Sequence, residues 1–78
     1  MALAAEVLAE WREAERILKV LPEDAPDRPA AAAAVEEMRQ LYQYVAGDLA
    51  TATATAIAQT RARIEATHAL LLSIQARR

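Results

Sequence analysis

All three prolines of this 78-residue chain fall within one eight-residue stretch, at Pro22, Pro26 and Pro29, and its only glycine is Gly47. Proline lacks a backbone N–H and its ring clashes with the preceding helical turn, so it ends helices. Glycine is the residue that most readily stops one in a left-handed conformation. The chain is therefore punctuated at two places only. Everything between must be regular structure, and the composition says which kind. Alanine is abundant, Phe is absent, and the aromatics are Trp11, Tyr42 and Tyr44. Such a chain favours helices over sheets.

Apolar spacing agrees. Leu3, Val7, Trp11, Ala14, Leu18 and Leu21 recur at steps of four and three, one face of a 3.6-residue period. Leu8 and Ile17 widen that face. The expected first helix covers residues 3–21, with Glu15 and Lys19 set for an i, i+4 ion pair. Residues 22–29 form a stiff connection in which Asp27 suits the N-cap of the next helix and Pro29 its first turn. A second helix is expected over 30–46, with Val35, Met38, Tyr42 and Val45 on its apolar face. Similar lengths and a short link make the two an antiparallel hairpin.

Gly47 and Asp48 admit two readings. Either the helix stops at Gly47 and a new one is capped by Asp48, or it runs straight through. Beyond lies the alternating Thr51–Ala56 segment. Alanine is a poor strand former, and helical steps resume at Ile57, Thr60, Ile64, Thr67, Leu71 and Ile74, so residues 49–76 are expected to be helical. The step from Leu49 to Ile57 is eight rather than seven, which places a kink or local unwinding at 47–55. The fold class expected is all-α: a hairpin with a long C-terminal helix, two helices in all or three if the chain breaks at Gly47.

Length then directs the functional reading. A helix over 49–76 outruns the first helix by roughly ten residues, about 15 Å at 1.5 Å per residue. The excess would hold Leu70, Leu71, Leu72 and Ile74, and exposed apolar surface of that kind marks contact sites. A lone domain of this size is also marginally stable, and without cysteine it has no disulfide. Oligomerisation is the remaining aid. The expected assembly is a homo-oligomeric helical bundle, a dimer first, with Val45, Leu49, Ile57, Ile64, Leu70, Leu71 and Ile74 at the interface and Tyr44 as a contact residue beside it.

Charge is uneven along the chain. Residues 1–48 hold ten acids and five bases, whereas 49–78 hold one acid and four bases, giving −5 and +3 and summing to the net −2. Opposed halves can steer pairing between chains, and arginines at a helix C-terminus also complement its dipole. The basic half gives a secondary reading as a nucleic-acid surface. Arg61 and Arg63, however, lie about 200° apart around a helix and form no stripe, so nucleic acid is a weak expectation. Glu65-x-x-His68 resembles half of a di-metal bundle motif, a third reading that needs further inward carboxylates. His68 has no serine or cysteine partner spaced for nucleophilic catalysis, and one glycine cannot build a phosphate loop. Neither an enzyme, a cofactor nor a metal is expected. With no apolar run near 20 residues, no membrane span is expected, and with no export signal the cytoplasm is the default compartment. The functional expectation is a non-enzymatic protein-interaction or assembly module: an adaptor, an accessory subunit or an inhibitor of a larger machine.

Overall fold

The computed structural model describes residues 3–48 and 53–77 and contains three helices. Helix α1 spans Leu3–Val20, α2 spans Arg28–Gln43 and continues as a π-helical turn over Tyr44–Asp48, and α3 spans Ala54–Ala76. The molecule is a rod of 42 × 18 × 16 Å with a radius of gyration of 13.1 Å, above the roughly 11.5 Å of a rounder domain of this length. The chain runs up, down and up, so α3 lies alongside both members of the hairpin.

The connection is built by local chemistry. Leu21 is buried beneath it, and Ala25 and Arg28 close successive turns onto the carbonyls of Pro22 and Ala25. Asp27 is the N-cap of α2 by position, and Ala31 N–H donates to its carbonyl at 3.0 Å. Its carboxylate makes no capping bond, a departure from the expectation. The carboxylate is turned to Arg77, whose Nη2 and Nε donate to Oδ1 and Oδ2 at 2.7 and 3.1 Å. A bidentate charge-assisted pair outcompetes a neutral amide donor. Pro29 sits in the first turn, where its missing N–H removes no helical bond.

Gly47 does not stop the second helix. No glycine among the described residues has a positive φ, and the chain passes through Gly47 in π-helical form. Helix α3 is capped by Thr53 instead of Asp48. Thr53 is extended (φ −88°, ψ 161°) and its hydroxyl accepts the Ala56 N–H at 3.0 Å, satisfying one of the orphan donors of the first turn. Residues 49–52, including Leu49, lie outside the described residues.

These shifts cut the expected overshoot of roughly ten residues to five past α1 and two past α2 with its extension. Helix α2 begins at Arg28 and, with its π turn, reaches Asp48, while α3 starts five residues later than expected. At 1.5 Å per residue α3 is about 35 Å long and α2 with its extension about 30 Å. The Arg77–Asp27 pair sets the C-terminal end of α3 level with the start of α2. Leu71 and Ile74, expected to lack cover in the same chain, are buried to 1% and 0% exposure. They pack with Ala14, Ile17, Leu21, Ala31 and Ala34 in the core cluster at the connection end. A second cluster, Val7, Met38 and Leu41, is flanked by Trp11, Tyr42, Val45 and Ile64. The six inward positions of α3 are those of its three-four step pattern: Thr60, Thr67, Leu71 and Ile74 are buried, Ile57 and Ile64 half-buried.

Candidate interaction surface

Three helices meet along three seams, and the charges treat them differently. Between α1 and α3, Arg61 Nη2 donates to Glu6 Oε2 at 3.1 Å, and His68 Nδ1 lies 3.2 Å from Glu10 Oε2. Between α2 and α3, Arg63 Nε donates to Glu37 Oε2 at 2.7 Å, and Arg77 grips Asp27. The acidic first half and the basic second half are thus matched within one chain. Solvent screening keeps exposed pairs of this kind weak. Their larger effect is on register, since every one joins α3 to the hairpin. The hydrogen bond from Arg77, reinforced by its charge, holds the Asp27 carboxyl below its ordinary range. Arg16 lowers Glu13, and Arg39, helped by Gln40, lowers Glu36 in the same way, each across one helical turn.

The same pairs engage the described basic side chains of this half. Arg61, Arg63 and Arg77 each face a carboxylate of the chain itself. His68 faces Glu10 of α1, not Glu65, and no group of three or more His, Cys, Asp or Glu side chains among the described residues is placed to hold a metal. No helix among them is long and apolar enough to cross a membrane.

The residues singled out from sequence divide into three sets. Leu71 and Ile74 are core, and Val45 and Ile64 pack against the second cluster. Ile57 is half-buried beside Ala54, Ala58 and Ala62, in a shallow recess near the start of α3. Leu70 and Tyr44 are exposed, at 36% and 38%. Two further large apolar side chains, Leu72 at 52% and Val20 at 47%, are more exposed than either. Helical spacing places them. Leu72 follows His68 by four residues, and Val20 follows Glu13, which lies within electrostatic reach of His68, by seven, so both lie on the outer flanks of the α1–α3 seam. Leu70 follows Arg63 by seven and belongs to the α2–α3 side. The signal for Leu72 was available: it stands one residue, about 100°, off the inward stripe that ends in Leu71 and Ile74.

The third seam, between α1 and α2, is different. At one end Trp11 and Tyr42 close it, their ring centroids 5.7 Å apart and tilted by 49°. The Trp11 Nε1–H is buried there without a hydrogen-bond partner. Toward the connection the seam opens, beside the part of α2 that carries alanine at 30–34. The opening is a groove of about 660 Å³ floored by Leu18 and Val35 and rimmed by Arg12, Arg16, Lys19 and Arg28, with Glu15 the single acid. Glu15 and Lys19 form no ion pair across this groove, in contrast to the expectation from their spacing; the pair formed nearby is Glu13–Arg16. Comparison of the chain with protein-family models, with curated proteins and with solved structures finds no match.

Proposed function

We propose that this chain is a non-enzymatic, helix-based interaction module that pairs with a second copy of itself through the α1–α3 face. The observation that carries this reading is the exposure of Val20 and Leu72, which helical spacing puts on the outer flanks of the same seam, although the neighbouring Leu71 and Ile74 are buried. A chain this short has little core to spare, and two large aliphatic side chains left in water at one end of a rod are a cost that burial against a partner removes. Both are already about half-covered in the single chain, so completing the burial of each contributes roughly 0.8–1.5 kcal/mol. The Arg61–Glu6 ion pair and the His68–Glu10 contact of the α1–α3 seam hold that face in one geometry before any partner arrives, which lowers the entropy lost on binding. An adaptor or accessory subunit that dimerises fits such a surface. The test is the solution mass by light scattering across a concentration series, for the wild type and for Leu72→Asp. The variant leaves the core untouched, so it should stay helical by circular dichroism while the dimer is lost. A wild-type mass equal to one chain at every concentration would overturn self-association.

A further inference from the structure

We infer that the open α1–α2 seam is a docking groove for an acidic amphipathic helix of a partner protein. The inference rests on the interaction-module reading but concerns a different face. Residues 1–48 contain only five basic side chains among ten acids, and four of those five, Arg12, Arg16, Lys19 and Arg28, line this one groove. Elsewhere among the described residues the cations are matched: Arg61, Arg63 and Arg77 are spent on Glu6, Glu37 and Asp27, and Arg39, the fifth base of the first half, on Glu36. Within the groove the matching is incomplete. Arg16 pairs with Glu13, whereas Arg12 and Lys19 have no hydrogen-bond or ion-pair partner among the described residues. The three cations of α1 stand at i, i+4 and i+7, one above another on a single face. Arg28 is held in place, its Nη1 donating to the carbonyls of Leu18 and Leu21 at 3.1 and 2.8 Å.

This geometry selects an occupant. The rim asks for carboxylates, and the floor of Leu18 and Val35 asks for an apolar stripe. An amphipathic helix with Leu on one face and Glu or Asp flanking it supplies both in one element, in the manner of helix-in-groove recognition. A phosphate backbone would answer the rim and leave the floor unused, and the acidic balance of the whole chain opposes it.

The test uses fluorescence anisotropy with the full chain and three labelled 18-residue peptides. One has a Leu stripe flanked by Glu, the second has Lys in place of every Glu, and the third scrambles the first so that no stripe remains. The first peptide should bind at least roughly tenfold more tightly than either other. Arg12→Ala/Lys19→Ala should weaken it by a similar factor, while Arg39→Ala, off the groove, should not. Equal binding of the striped and scrambled peptides, with heparin competing equally against both, would make the groove a general polyanion surface and overturn the inference. So would indifference to the double variant, or failure of the Glu peptide to bind. If the double variant instead lowered the mass of the free chain, the occupant would be a second copy, and the inference would again fall. Dimerisation through Val20 and Leu72 is read separately by light scattering, so loss of peptide binding leaves that proposal standing.

Discussion

Replacing Leu71 by Ala and, separately, Leu72 by Ala separates burial within the chain from burial against a partner. The two residues are adjacent in sequence, yet Leu71 is 1% exposed and Leu72 52%. Leu→Ala removes three carbons, a transfer loss of about 2.4 kcal/mol at roughly 0.8 kcal/mol per carbon. The cavity left among Ala14, Ile17, Ala34 and Ile74 adds to it, because those neighbours are small or already packed, and the total should fall near 3 kcal/mol. A 78-residue domain has about 4–12 kcal/mol in hand, so Leu71→Ala takes a large share. At about 4–8 °C per kcal/mol for a domain of this size, its melting temperature should fall by about 12–24 °C. Leu72→Ala should change the monomer by no more than about 0.5 kcal/mol. The assay is thermal unfolding followed by circular dichroism at 222 nm, at a concentration where light scattering shows single chains. Equal shifts for the two variants would refute the packing of α3 described above. No shift for Leu71→Ala would mean that the C-terminal half of α3 is not packed on the hairpin at all.

Three other outcomes follow from particular contacts. Gly47→Ala should stabilise the chain by about 0.4–1 kcal/mol, because a Cβ there meets nothing within 4 Å and the φ is not positive; a fall in melting temperature would contradict this. Trp11→Phe removes a buried N–H that has no partner, so it should cost less than about 1 kcal/mol despite the smaller ring, whereas Trp11→Ala should cost about 3–5 kcal/mol. Acid should destabilise the fold. Asp27, with an ordinary value of 3.8, and Glu13 and Glu36, at 4.5, are all lowered in the folded chain by arginine partners. Their contribution is complete above those ordinary values and is lost as pH falls through the lower folded ones. Melting temperatures should therefore drop below about pH 4.5, and Arg77→Ala should shallow that drop; an unchanged acid limb in the variant would refute a role for the Asp27 pair.

The helical class and the inward face of α3 were legible in the sequence, because the three-four spacing from Ile57 to Ile74 is long and uninterrupted. The ends of the elements were not. Gly47 suggested a stop, but an exposed glycine in helical conformation carries only a propensity penalty, and nothing in the sequence marks a π turn. Asp48 and Thr53 are both good N-cap residues, and starting the third helical segment at residue 49 lengthened it by five residues. With the two residues missed at each end of the second helix, that error accounts for nine residues of the expected overshoot past it, and it left Leu71 and Ile74 exposed on paper. Charge asymmetry between the halves was visible; that it closes the bundle internally depends on which helix lies beside which, a tertiary fact. The cationic groove had a local signal in the spacing of Arg12, Arg16 and Lys19. Its apolar floor and the contribution of Arg28 appear only when α2 folds back.

The solution mass of the intact chain tests the central claim most directly. Light scattering after size exclusion should give about 17 kDa, twice the 8.5 kDa of one chain, falling to one chain for Leu72→Asp with helicity retained. A mass of 8.5 kDa that does not rise with concentration, unchanged by Leu72→Asp, would contradict it.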